Sequence, residues 1–192
     1  MNADLAPSPL RLDPARAALL VVDLQERLAA AMDAAALDRV VRNTIALVEG
    51  AKVLGLPVIV TEQYPKGIGP TLAAIRAALP DDARPIEKVD FSCAAVPAVR
   101  EALARVGRDQ LVVVGMEAHV CVYQTARDLA AEGRHVFVPH DAVLSRADEN
   151  RRIGLSLAER AGAAVTATET VLFDLLGRAG TPAFKEISRL IK

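Results

Sequence analysis

The sequence predicts an α/β fold in which a parallel sheet is covered by helices on both faces. Six short apolar runs alternate with six longer segments of helical spacing between Ala17 and Leu176. The short runs are continuously apolar rather than alternating, as strands buried on both sides are. A strand followed by a helix, repeated at this rhythm, implies parallel pairing through right-handed crossovers.

Taken in order, the first strand is Ala17-Ala-Leu-Leu-Val-Val, ending at Asp23, and the helix after it runs from Ala36 to Leu54. Pro57-Val-Ile-Val-Thr-Glu follows, ending near Gln63, with a helix over Pro70 to Leu79. Arg84-Pro-Ile-Glu ends at Lys88 and leads into Ala94 to Val106. Gln110-Leu-Val-Val-Val ends at Gly115 before a helix from His119 to Glu132. Arg134-His-Val-Phe-Val ends at Pro139 before Ala147 to Ala161, and Ala164-Val-Thr-Ala ends at Thr168 before Glu169 to Leu176. Gly55, Gly107, Gly133 and Gly162 fall just past helical runs, where a left-handed C-cap residue is expected. No repeat, low-complexity stretch or linker divides the 192 residues, so one domain is expected over 1–192. Pro65-Lys-Gly-Ile-Gly-Pro reads equally as a pocket-lining loop and as a surface connection.

Composition narrows the function. Lys and Arg number 23 against 24 Asp and Glu, a net charge of −1, and the basic residues are scattered. Nothing electrostatic therefore favours nucleic acid or an anionic membrane as partner. No apolar run is long enough to span a bilayer. Met1 to Arg16 carries three prolines, four charges and no apolar segment, so no secretory signal is read there. With only Cys93 and Cys121, a reducing cytoplasm is expected rather than a disulfide framework. Gly67-Ile-Gly69 is too short for a phosphate-binding motif.

In a parallel sheet all strand carboxyl ends share one rim, so Asp23, Gln63, Lys88, Gly115 and Cys121 converge there. Cys121 falls where an apolar run gives way to a helical pattern. The unpaired N–H groups and positive dipole of a helix start favour thiolate over thiol. Asp23 is placed to take the thiol proton and return it to a leaving group, Lys88 to hold Asp23 anionic, and Cys121 to attack a carbonyl carbon. Taken singly, Asp23 reads as well as a turn residue or N-cap, Lys88 as a solvated charge, and either cysteine as core. Cys93 follows Ser92 and is read as packing. His119 stands two residues from Cys121, a spacing that does not make a dyad on a turn or helix, so it is read as structural orientation or pocket lining. Tyr64 and Phe91 suit an apolar wall of a substrate pocket or ordinary packing, and Gln63 offers substrate a hydrogen bond. Tyr123, Gln124 and Arg127 suit subunit contacts or packing as well as catalysis.

Three segments, Val-Val-Asp23-Leu-Gln, Glu-Lys88-Val-Asp-Phe-Ser and Gly-Met-Glu-Ala-His-Val-Cys121-Val-Tyr-Gln-Thr-Ala, resemble the signature segments of the isochorismatase-like cysteine hydrolases. Thr61-Glu-Gln-Tyr-Pro-Lys-Gly and Phe184-Lys-Glu-Ile-Ser-Arg-Leu-Ile-Lys are similar to segments of the isochorismatase domain-containing branch. The resemblance implies a three-layer α/β/α sandwich with a six-stranded parallel sheet in order 3-2-1-4-5-6. It implies a triad of Asp23, Lys88 and Cys121, a cis peptide between Met116 and Glu117, and an oxyanion hole from the backbone N–H groups of Glu117 and Cys121. Dimers or tetramers are implied as well, and the apolar stripe Phe184, Ile187, Leu190 and Ile191 suits docking on its own domain or on a neighbour.

Departures from relatives refine the expected activity. Nicotinamidases of the superfamily carry an Asp/His/His metal site after the second strand, where this chain has Thr61-Glu-Gln-Tyr-Pro-Lys-Gly and no histidine. No catalytic metal and no cofactor are therefore expected. Isochorismatases, which cleave a vinyl ether by protonation, can work with glycine in place of the cysteine. A retained thiol favours hydrolysis of a small amide-like substrate through a thioester. The alternatives are an isochorismatase-type hydrolase using Asp23 alone as acid, or a non-catalytic binding protein on the same fold.

Overall fold

The computed structural model describes residues 8–191. The first seven residues of the N-terminal stretch read above, and Lys192 at the end of the apolar stripe, lie outside them. Seven parallel strands form one sheet: β1 (Ala17–Val22), β2 (Val58–Gln63), β3 (Ile86–Lys88), β4 (Gln110–Met116), β5 (His135–Pro139), β6 (Val143–Leu144) and β7 (Ala164–Thr166). The order is β3-β2-β1-β4-β5-β7, with β6 paired to the end of β4 through Gly115↔Val143 and Met116↔Leu144. The expected six-strand path is present, and β6 is an addition. It takes over beside β4 where β5, paired only along Gln110–Val112, diverges. Two residues are too few to leave a periodic signal, which is why the sequence did not disclose it.

The alternation of side chains along each strand divides the core in two. Ala17, Leu19 and Val21 of β1 face one cluster, with Val112 and Val114 of β4. Ala18, Leu20 and Val22 face the other, with Leu111 and Val113. The first cluster is closed by α2 (Ala34–Leu54), α4 (Ala73–Ala78), α8 (Thr168–Leu176) and α9 (Pro182–Leu190). The second is closed by α5 (Pro97–Val106), α6 (Tyr123–Ala131) and α7 (Asp148–Arg160). Three layers result.

Local chemistry sets the boundaries. Helix α2 begins two residues before its expected start because the Asp33 carboxylate accepts from the Ala36 N–H, and it ends at Gly55 with φ of 69°. The segment expected as one helix over Ala94 to Val106 splits into a 3₁₀ turn at Cys93–Ala95 and α5, because Pro97 fits only a first-turn position. Glycine 115, with φ of 123°, lets β4 press against β1: a Cβ there would stand 1.9 Å from the Val22 carbonyl oxygen. The single turns α1 (Glu26–Ala29) and α3 (Pro65–Ile68) flank the carboxyl rim, and the Gln25 side chain joins them, donating to the carbonyls of Gln63 and Gly69. The C-terminal stripe docks on its own domain: Ile187 of α9 is fully buried against α2, and Phe184 meets Phe173 of α8 at 6.3 Å between ring centroids.

Candidate active site

Asp23 leaves β1 in the left-handed region, φ of 51°, which Asp tolerates better than most residues and which turns its carboxylate inward. It is completely buried. Its Oδ1 accepts from the Thr61 hydroxyl at 2.7 Å, and its Oδ2 lies 2.7 Å from Lys88 Nζ. Lys88, at the last position of β3, is also buried, and its ammonium donates to Gln63 Oε1 at 2.6 Å and to the carbonyls of Asp90 and Phe91 at 3.2 Å. Burial is the largest single influence and lowers its pKa, but the Asp23 charge and hydrogen bond, together with the two nearby cysteines, outweigh it and raise the pKa, which favours the ammonium form.

Cys121 does not stand at an open helix start. A π-helical turn, Ala118–Val122, joins β4 to α6, and Cys121 is its fourth residue, 6% exposed. Both Val120 and Val122 donate their N–H groups to the Glu117 carbonyl, so the turn winds tightly after β4. The charges of Asp23 and Lys88 both bear on the thiol. Its pKa is pushed up to about 12, first by burial, then by the Asp23 charge, with Lys88 opposing less strongly. Loss of water and the adjacent carboxylate thus oppose the preformed thiolate expected from a helix start.

The other expected site residues divide. The Met116–Glu117 peptide is cis. Glu117 is buried and acts through its side chain too, because Oε2 accepts from both the backbone N–H (3.0 Å) and the guanidinium Nε (3.1 Å) of Arg146. Gln63, expected to meet substrate, has its amide turned into the protein: Oε1 faces Lys88 and Nε2 donates to the Val89 carbonyl at 2.7 Å. The Gln25 amide holds the backbone of Gln63 at both its N–H and its carbonyl. Tyr64 and Phe91 stand exposed, at 55% and 53%, and Val89 is more exposed still. His119 meets Ser145 through Nδ1 at 3.0 Å rather than Cys121. Cys93 is fully buried. Reading the sequence missed Thr61 and Gln25. Threonine within a strand and glutamine three positions past one carry no distinctive signal, and only the pairing Val22↔Thr61 puts that hydroxyl beside Asp23.

No group of three or more His, Cys, Asp or Glu side chains placed to hold a metal occurs among the described residues. A groove of about 900 Å³ opens between α5 and the amino ends of β2 and β3, lined by Lys52, Arg84, Glu101 and Arg105. It is at the opposite end of the strands from Asp23, Lys88 and Cys121, and buried ionisable chemistry locates an active site better than groove size does.

A parallel sheet covered on both faces, with a buried Asp–Lys pair and a thiol at its carboxyl rim, places the chain in the three-layer α/β/α class. The isochorismatase domain model matches residues 17–170, and the chain belongs to that family. It is 38% identical over 186 residues to a secreted isochorismatase effector, Isc1, of Phytophthora sojae (strain P6497), covering 95% of this chain and 87% of that protein. Among solved structures it is similar to the MAR1 ribonuclease of Caenorhabditis elegans, with a TM-score of 0.88, 36% identity, and 94% and 92% of the two chains covered. It is also similar to the YcaC gene product of Escherichia coli, described as an octameric hydrolase of unknown specificity, with a TM-score of 0.86, 26% identity, and 97% and 92% covered.

Proposed function

We propose that this protein is a metal-independent cysteine hydrolase that cleaves a small amide-like substrate through a thioester, with Cys121 as nucleophile, Asp23 as proton carrier and Lys88 as electrostatic partner. One observation carries the reading: a buried neutral thiol is electrostatically coupled to a buried carboxylate that is paired with a buried ammonium. Moving the thiol proton to Asp23 leaves one negative charge beside Lys88 before and after, so the transfer separates no charge in a site with little water.

The steps balance. The Cys121 S–H proton passes to Asp23 as sulfur bonds to the carbonyl carbon. The C–N bond then breaks as Asp23 returns that proton to the leaving nitrogen. Water attacks the thioester, giving one proton to Asp23, which hands it back to the departing sulfur. The oxyanion formed in both halves is bound by the backbone N–H groups of Glu117 and Cys121, the first held in register by the Arg146 contacts to the Glu117 carboxylate. Tyr64 and Phe91, exposed near the β2 and β3 ends, form the apolar wall, and His119 lines the opposite side. The Gln63 side chain, engaged by Lys88, serves substrate only indirectly. A cytoplasmic homo-oligomer completes the proposal, supported by the free buried cysteines and by the octameric description of the bacterial neighbour. No helix among the described residues is long and apolar enough to cross a membrane.

The test is a panel of small amides and related C–N compounds with the parent protein and Cys121→Ala, with hydroxylamine trapping and peptide mapping of acylated Cys121. The expected result is a trapped acyl group on Cys121 and turnover reduced at least about a thousandfold in the variant. Substantial turnover by Cys121→Ala would remove the thioester and favour acid catalysis by Asp23 alone. RNA belongs in the panel because of the name carried by the nematode protein, although a net charge of −1 gives it no electrostatic support.

A further inference from the structure

We infer that Thr61 is a positioning residue for Asp23, the inner member of a directed chain in which the Cys93 thiol donates to the Thr61 hydroxyl and that hydroxyl donates to Asp23 Oδ1. The inference rests on the proposed reaction for its catalytic consequence, but not for its geometry. Thr61 Oγ1 is 2.7 Å from Oδ1 and 3.8 Å from Cys93 Sγ, and all three residues are fully buried.

The direction follows from chemistry. An ionised carboxylate only accepts, so the Thr61 proton points at Asp23 and its lone pairs face Cys93, which must then be the donor. Cys93 is able to donate, because burial raises its pKa and keeps it protonated. The chain is anchored at both ends. The Asp23 backbone N–H donates to the Thr61 carbonyl at 3.2 Å, and the Cys93 N–H donates to Thr125 Oγ1 at 2.9 Å, on the helix that follows Cys121. One hydrogen-bonded arc thereby ties the ends of β1 and β2, the segment after β3 and the nucleophile's helix.

Its effect is to make the two carboxylate oxygens unequal. Oδ1 is occupied by Thr61, whereas among the described residues no donor is aligned for a hydrogen bond to Oδ2 despite its ionic contact with Lys88. Oδ2 is therefore the oxygen that takes the thiol proton, and Thr61 both fixes its direction and stabilises the ionised form.

The experiment is a ¹³C NMR titration of aspartate side-chain carboxyls in the parent, Thr61→Val, Thr61→Ser and Cys93→Ala, with Asp23 assigned by its loss in Asp23→Asn. The expected result is an Asp23 midpoint about one pH unit higher in Thr61→Val, within error of the parent in Thr61→Ser, and moved upward by a smaller amount in Cys93→Ala. The low-pH limb of kcat moves with it while KM stays within about twofold. Thr61→Ala repeats the test without added bulk if Thr61→Val does not fold. An unchanged Asp23 midpoint in a folded Thr61 variant lacking the hydroxyl overturns the inference, even if an acyl group is trapped on Cys121. A shifted midpoint together with active Cys121→Ala leaves Thr61 in place and overturns the thiol reaction instead.

Discussion

Asp23 and Lys88 both bear on the protonation of Cys121, in opposite directions. Reactivity of Cys121 toward iodoacetamide is therefore a direct reading of its neighbours. In the parent the rate should keep rising well past pH 9, following a thiol held near 12. Asp23→Asn removes a raising charge and should bring the midpoint down, while Lys88→Met removes the lowering one and should send it up. Identical profiles in all three proteins would show that the thiol is not coupled to the pair. Lys88→Met should also cost about 3–5 kcal/mol of stability in urea unfolding, since it leaves the Asp23 carboxylate buried without its counter-ion. Retained stability would mean that water or another group reaches Asp23. At this scale the sequence disclosed the participants but not their states. Residue types at strand ends suggested Asp, Lys and Cys, whereas the thiol's neutrality, the inward turn of the Gln63 amide and the Thr61 contact depend on burial and register, which no local pattern encodes.

At the scale of elements, the π turn after β4 is held from outside by α7. Gly154 of α7 packs so closely on it that a Cβ would stand 2.6 Å from the Ala118 carbonyl carbon and oxygen and from His119 Cα. These are backbone atoms, so the turn or the helix must move. Gly154→Ala should destabilise the protein by about 1–3 kcal/mol despite adding a better helix former. It should also lower turnover more than Ser156→Ala, a control elsewhere on the same helix. Equal activities would show that the turn tolerates displacement. The helical periodicity around Gly154 was legible, but its contact was not, because a glycine inside a helix pattern carries no record of what it touches. The same limit applies to β6 and to the π turn itself: both are short departures from regular periods, and a sequence window sees the period rather than the exception. Strands β1, β2, β4 and β5 and the major helices were legible because their apolar spacing extends over several residues.

For the whole molecule, the sheet separates a face that bears on the site from one that bears on stability. Cys121 and Ala118 pack with α5, α6 and α7, whereas α9 closes the opposite cluster. Protonation of the site still reaches global stability. Both Cys121 and Lys88 have pKa values raised by folding, so between their unfolded and folded values the native state holds protons that the unfolded chain has released. Stability from this source is complete below the unfolded values and declines as pH rises from about 9 toward 12. The urea midpoint should fall between pH 8 and 10.5, and less steeply in Cys121→Ala; parallel declines would separate the thiol from folding. Removing α9 should do the reverse. Ending the chain at Gly180 exposes the groove on α2 that Ile187 fills, at a cost of roughly 3–6 kcal/mol from that side chain, Phe184 and Leu190 together. The pH profile of Cys121 alkylation should stay where it was, because no α9 residue belongs to the cluster around the thiol. A truncated protein with an unchanged urea midpoint would show that α9 contributes no net burial. A shifted alkylation profile would show that the two faces communicate through the sheet, whose strands carry side chains into both.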